Sequence, residues 1–255
     1  MQGRIVSPMW EKPLIERHFA KLRARGVLSP DEEQGIRDAV AELRTVPADT
    51  IVVRAYEVQD HSTLLLDGIL CRYKDLRNGQ RQMTELHVAG DFADLHSFTL
   101  KYLDHDVMSL TPCRLAIVPH TKLRDLTERF PSLARSYWFS TNLDAAIHRE
   151  WELSLGRRTA SARVAMLLSE LHQRLLLVGL ADAHGYELPL TQTDIAECTG
   201  LTNVSVNRVL RELREDGAAT VAAGRVRILD RSALWRAAEF DPRYLYLGDA
   251  TVKRF

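Results

Sequence analysis

The stretch Thr191–Leu213, TQTDIAECTGLTNVSVNRVLREL, starts as an ordinary helix, stops at a glycine and restarts in a polar run. With Gln192 as the first position, Ala196 is the fifth, Gly200 the ninth and Val206 the fifteenth. That spacing is the pattern of a helix-turn-helix. Ala196 is small enough to let a second helix cross closely, and Gly200 can take the positive φ of a tight interhelical turn. Ile195, Leu201, Val206 and Leu210 can meet beneath the crossing, and Thr202 can cap the second helix. At about 100° per residue, Val206, Val209, Leu210 and Leu213 share one face of that helix. Val204, Arg208 and Arg211 lie opposite, flanked by Asn203, Ser205 and Asn207. A soluble helix normally shows charge where Val204 stands. The mixture suits a DNA major groove: arginine bonds bidentately to guanine, asparagine reads adenine, and an apolar group meets a thymine methyl.

On the C-terminal side, ATVAAGRVRILD (219–230) reads as a hairpin turning near Gly224. Arg225 and Arg227 lie near its tip and are suited to phosphate contact. Thr191, at the start of the first helix, can offer its hydroxyl and nearby amides to another phosphate. A helix-turn-helix followed by a basic hairpin is a winged helix. On the N-terminal side, TASARVAMLLSELHQRLLLVGL (159–180) is an amphipathic helix, and RSALWRAAEF (231–240) closes the region as another, with Ser232 near its start.

The preceding half reads differently. Residues 10–43 give two helices, the first with Leu14, Ile15, Phe19 and Leu22 on one stripe, the second capped by Ser29 and running to Leu43. From about 45 to 120 come six short strand-like runs, TIVVRAY, STLLLDG, ILCRYKDL, RQMTELHV, VMSLT and CRLAIVP. Asn78-Gly79 is a strong hairpin signal among them, and the spacing predicts a barrel, roll or sandwich. KLRDLTERFP (122–131) is a short helix, and Pro131 then opens a long one. Phe139, Leu143, Ile147, Trp151 and Leu155 follow at steps of four. An apolar stripe on so long a helix needs a partner surface; it is read here as a dimer seam, with packing on its own domain as the alternative. Gly156-Arg157-Arg158 marks a hinge. The expected domains are 1–130, 131–156 and 157–255.

Composition bounds the function. With 45% hydrophobic and 27% charged residues, the chain is an ordinary soluble globular protein. No apolar run approaches the ~20 residues of a membrane helix, and the N-terminus lacks a signal-peptide core, so no membrane is expected and a cytoplasmic location is. Its three cysteines, Cys71, Cys113 and Cys198, form neither a disulfide framework nor a CxxC pair. Net charge is zero, with a bias of +2 from Arg157 onward. Any attraction to DNA must therefore come from a local basic face.

With these segments in place, the chain resembles the Crp/Fnr family of bacterial transcription regulators over nearly its whole length. LLLDGILCRYK, HVAGDF, the helix after Pro131 and especially LTNVSVNRVLRELREDG carry the resemblance. It implies an α+β architecture: an N-terminal β-roll of the cyclic-nucleotide-binding jelly-roll kind with flanking helices, a long dimerisation helix, and a C-terminal winged helix-turn-helix. It also implies a homodimer that reads a palindromic operator in double-stranded DNA through residues 202–216 and meets RNA polymerase.

Three departures qualify that expectation. Cyclic-nucleotide binders carry Gly-Glu-Leu for the ribose and Arg-Ser or Arg-Thr for the phosphate. Here those regions read Phe92-Ala93-Asp94-Leu95-His96 and Leu103-Asp104-His105-Asp106. Carboxylates facing a phosphate repel it, so regulation independent of cyclic AMP is expected. Asp94, His96, Asp104 and His105 are candidates for an effector pocket of different chemistry, or for a polar network closing an empty one. No cysteine precedes Cys71, so the clustered N-terminal cysteines of iron–sulfur relatives are absent. The candidate haem ligands His87, His96, His105 and Cys71 have no diagnostic spacing, and no cofactor or metal is expected. Finally, Val204 stands where relatives usually carry a glutamate. The competing readings are a cupin-like metal enzyme, against which the roll has no H-x-H pair, and a regulator without any ligand, active in proportion to its abundance.

Overall fold

A computed structural model describes residues 12–247; Trp10 and Glu11 of the first predicted helix and residues 248–255 of the last predicted domain lie outside it. The chain runs α1 (Lys12–Arg23), α2 (Pro30–Ala39), β1 (Glu42–Val46), β2 (Thr50–Val53), β3 (His61–Asp67), β4 (Ile69–Asp75), β5 (Arg81–Val88), α3 (Ser97–Leu100), β6 (Asp106–Ser109), β7 (Cys113–Pro119), α4 (His120–Arg129) and α5 (Pro131–Arg157). It continues α6 (Ala160–Leu177), β8 (Ala181–Asp182), β9 (Gly185–Glu187), α7 (Gln192–Thr199), α8 (Asn203–Glu215), β10 (Ala219–Ala222), β11 (Arg225–Ile228), α9 (Arg231–Ala238) and a 3-10 turn (Pro242–Leu245). Among the described residues no helix is long and apolar enough to cross a membrane.

Two antiparallel sheets, β1-β7-β3 and β2-β6-β4-β5, face each other as the roll. Strand alternation explains its three-layered packing. Leu65, Leu115 and Ile117 point between the sheets with Leu70 and Val107. Leu64, Leu66, Ala116 and Val118 point outward, under α1, α2 and α4. The run LLL in β3 is apolar on both faces because both are covered. On the other sheet, Ile69, Cys71, Tyr73, Met83 and Leu86 turn outward and join the core of the C-terminal half.

Helix α2 begins as its sequence indicates. The Ser29 hydroxyl accepts from Glu32 N at 3.2 Å, and the Glu32 carboxylate accepts from Ser29 N at 2.7 Å, a closed capping box. It ends four residues before the expected Leu43, because Glu42–Val46 is claimed by β7 as an antiparallel edge strand, Glu42 opposite Ile117. Asp230, whose side chain accepts from Ala233 N, caps α9 in place of the nearby Ser232. Strands β8 and β9 are too short to have shown a period.

The stripe on α5 requires a correction. Ile147 and Trp151 are buried within this chain, packed with Val164, Leu167 and Leu168 of α6, and Leu143 packs against the same cluster. Phe139 meets the ring of Tyr246, and Leu155 is half-buried. The stripe covers its own chain because α6 folds back directly from the end of α5. Trp138, Asn142, Ala145, Arg149, Glu152, Leu153 and Gly156 are among the exposed positions instead.

A buried polar chain ties the two halves together. Arg174 of α6 donates to Asp91 at 3.1 Å and to the Leu86 carbonyl at 2.7 Å, and Lys21 of α1 meets the same Asp91. Arg174 also donates to Glu170 at 3.1 Å, which in turn accepts from Trp151 Nε1 at 3.1 Å and from the Tyr244 hydroxyl at 2.7 Å. Buried charges persist only when paired and hydrogen-bonded in this way. Burial pushes the Glu170 carboxyl up, while Arg174 opposes that shift.

Candidate nucleic-acid interface and effector groove

Helix α7 opens with Thr191 as its cap. The Thr191 hydroxyl accepts from Asp194 N at 3.1 Å and donates to the Asp194 carboxylate at 2.7 Å. That hydroxyl is therefore already engaged locally. The first-turn amides that the cap leaves, those of Gln192 and Thr193, are what this helix start offers an anion, since they have no intrahelical acceptor. The helix closes at Gly200, with φ 62° and ψ 36°, and Leu201 N reaches back to Ala196 O at 3.0 Å. A Cβ on Gly200 would sit 3.1 Å from Leu155, so the elbow is tight as well as left-handed.

Helix α8 starts at the Thr202 cap, whose hydroxyl accepts from Ser205 N at 3.2 Å, worth about 1 kcal/mol. Val206, Val209 and Leu213 are buried against α6 and α7, each contributing about 1.5–3 kcal/mol. Their burial fixes the opposite face outward. Val204 is 79% exposed. Asn203, Asn207, Arg208 and Arg211 are exposed beside it, and Ser205 is half-buried. Arg208 pairs with Glu212 at 2.7 Å, and Arg211 lies 3.9 Å from Glu215. Asn203 donates across the elbow to Thr193 at 3.1 Å.

The wing is the β10–β11 hairpin. Ala223 and Gly224 both take positive φ, 50° and 72°, which suits a two-residue hairpin turn. Val226 points into the core, so Arg225 and Arg227 share the outer face. Arg227 is exposed, whereas Arg225 is half-buried and pairs with Glu187 on the neighbouring strand.

A groove of about 820 Å³ lies between the roll and α5, and His96, Asp104 and His105 line it. Asp94 does not. It is sealed inside the roll, where it accepts from Thr63 N at 2.6 Å, and burial pushes its carboxyl up to about 6. Its backbone position, two residues before His96, placed it in the candidate set; its side chain points the other way. Asp104 accepts from Lys74 at 2.7 Å and lies 3.0 Å from His105. Burial, with Arg72 adding to it, pushes the His96 imidazole down to about 3. The same two causes lower His105.

The floor of the groove holds a cluster that the sequence reading missed. Arg72 of β4, fully buried, donates to Glu85 of β5 at 2.6 Å, to Asp144 of α5 at 2.9 Å and to the Ala93 carbonyl at 3.0 Å. His148 lies 3.0 Å from Glu85. Burial, the largest influence, would raise the Glu85 carboxyl, but Arg72, His87 and His148 together outweigh it and hold the group well below the usual carboxylate range. Asp144 is pushed up, by burial first and then by the charge of Glu85. One guanidinium faces two carboxylates. A signal was present: counting equally outward from Asn78-Gly79 reaches Arg72 and Glu85, and they pair across the hairpin. Among the described residues, no group of three or more His, Cys, Asp or Glu side chains is arranged to hold a metal.

Residues 162–237 match the Crp-like helix-turn-helix domain, and residues 43–130 match the cyclic nucleotide-binding domain. The nitrogen fixation regulation protein FixK of Bradyrhizobium diazoefficiens is 30% identical over 168 residues, covering 65% of this chain and 69% of the relative. The transcriptional activator protein FnrL of Cereibacter sphaeroides is 27% identical over 191 residues, 73% of this chain and 75% of the relative. The structure of FixK2 from Bradyrhizobium japonicum superposes with a TM-score of 0.71 at 26% identity, covering 78% of this chain and 97% of the other. A cyclic-nucleotide-binding-type roll followed by a helix-turn-helix defines a class of DNA-binding transcription regulators, not enzymes. The chain belongs to the Crp/Fnr family.

Proposed function

We propose that this chain is a homodimeric, sequence-specific regulator of the cytoplasm that reads a palindromic operator through residues 202–216 and works with RNA polymerase. The carrying observation is the outward face of α8, where a 79% exposed valine sits among arginines and asparagines over a buried apolar base. Thr191, Thr202, Asn203, Val204, Ser205, Asn207, Arg208, Arg211, Arg225 and Arg227 form the DNA face. Residues 1–130 serve as the sensor unit, 131–156 as the pairing helix and 157–255 as the reading unit. Self-association uses the exposed side of α5. Trp138, Asn142, Ala145, Arg149, Glu152 and Gly156 recur there at steps of three and four, the spacing of a two-helix seam. Ala145 and Gly156 are small enough for close approach.

Selection from random duplex DNA tests the whole reading. A two-fold symmetric site with half-sites about 34 Å apart is expected; a single asymmetric motif would overturn it. Val204→Glu places a carboxylate one turn before Arg208, where it competes with Glu212 and can accept from a cytosine amine. It is expected to change preference at one symmetric pair of positions by about 1–3 kcal/mol. Arg211→Ala should instead weaken all sequences alike and reduce the salt slope.

Cyclic AMP is not the effector in this reading. Arg72 is already met by two carboxylates, and His96 and His105 are held neutral. Lys74 and Arg72, the cations of the groove wall, are taken up by Asp104 and Asp144, and Glu152 adds a further carboxylate. Titration calorimetry with cyclic AMP or cyclic GMP is expected to give no micromolar binding, and a micromolar constant for either would refute this point. The Arg72 cluster also favours a second reading, in which the protein's own ions bridge the roll to α5 and no small molecule is needed.

A further inference from the structure

We infer that Gln82 of the β4–β5 hairpin is a positioning residue that sets where the reading head sits, by taking up the carbonyl end of α7. This rests on the proposed dimeric, operator-reading function and concerns its regulation. The last carbonyls of a helix have no partner within it. In α7 part of that need is met from the roll. Gln82 Nε2 donates to the Glu197 carbonyl at 2.7 Å, with the Cys198 carbonyl at 3.4 Å. Next to it, Met83 is buried with its sulfur 3.6 Å from Cys198 Sγ. Arg163 of α6 donates to the Thr199 carbonyl at 3.2 Å from the other side. The elbow that presents α8 is therefore held between its own first helix and a side chain of the sensor half.

The same strand reaches the groove two residues later. Tyr73 pairs with Met83 and Arg72 with Glu85, so Thr84 is an extra residue, a bulge between the two pairings. Thr84 lines the groove, and Glu85 beyond it engages Arg72, which engages Asp144 of α5. One short hairpin thus holds α5 on one side of a bulge and the helix-turn-helix on the other. A shift of α5 or an occupant of the groove that moves this hairpin alters the seat of α7, and a bound operator acts back on the groove by the same amount.

Operator spacing reads out head position, and base preference does not. The test uses full-length protein and three duplexes: the selected palindrome, and the same palindrome with one base pair added or removed between its half-sites. Gln82→Glu keeps the shape but replaces a donor with a carboxylate facing carbonyl oxygens. Gln82→Lys keeps a donor. Wild-type protein should prefer the selected spacing, and Gln82→Glu should reduce that preference by roughly tenfold with base preference inside each half-site unchanged. Gln82→Lys should retain it. Wild-type spacing preference in Gln82→Glu, or an equal loss in both variants, overturns the inference. If wild-type protein selects no palindrome at all, it is the operator-reading function that fails. Gln82 is half-buried at the surface of the hairpin, so neither variant opens a core cavity.

Discussion

Arg208→Ala is expected to lower affinity for the selected operator by about 2–6 kcal/mol in the dimer, since one bidentate arginine–base contact is worth about 1–3 kcal/mol and two protomers each lose one. That is roughly 30-fold to 20,000-fold. The loss should fall on one symmetric base pair. Arg208→Lys keeps the charge but not the planar fork, so it should restore much of the binding to random DNA and little of the preference. The fold should be indifferent to either change. Arg208 is half exposed, and its pair with Glu212 is a surface pair of one turn, a kind that contributes little to stability. Fluorescence anisotropy against matched and mismatched duplexes at fixed salt, beside thermal unfolding, separates the two effects. An affinity loss spread evenly over all sequences would show that Arg208 contacts phosphate, not a base.

Arg72→Ala has the opposite profile, a large loss of stability with the DNA face untouched. Removing one member of a buried ion cluster costs about 3–5 kcal/mol, because the remaining charges lose their compensation. Here Glu85 and Asp144 would face each other across the floor of the groove. The sign with pH follows. In the wild-type protein Glu85 is held below its ordinary range, so its contribution is present above that range and fades as pH falls through it. In Arg72→Ala the carboxylates are relieved by protonation, so the deficit should be greatest near neutrality and shrink in acid. Urea unfolding across pH measures this. Arg72→Met combined with Glu85→Gln and Asp144→Asn should recover much of the loss, as removing a whole buried ion cluster often does. A deficit independent of pH would mean that Arg72 acts through packing alone.

The elements of the reading head were legible because each rests on a local steric need. Gly200 must take a positive φ, Thr202 must cap, and Val206 must be buried; each does so. Five of the roll strands could likewise be bounded to within a residue or two, because turn residues separate apolar runs. What stayed hidden depended on contacts between distant segments. The apolar steps on α5 gave the right face but not what covers it, since that depends on α6 folding back. Strand β1 exists because β7 recruits it, and nothing within AVAEL announces that partner. Nothing in ILCRYKDL singled out Arg72. Only the pairing of two sheets with α5 turns its position inward, and the same pairing turns Asp94 away from the groove where its neighbours His96, Asp104 and His105 stand.

The buried chain from Lys21 through Asp91, Arg174 and Glu170 to Tyr244 has a practical consequence for dissecting this protein. A fragment excised from Thr159 onward would keep Arg174 but lose Asp91 and the Leu86 carbonyl, and would keep Glu170 but lose the Trp151 indole. Its first helix would then present the Arg174–Glu170 pair, stripped of its other partners across the molecule, and an unsheathed apolar flank to water. Recombinant work on DNA recognition is best carried out on the intact polypeptide, where those groups remain partnered.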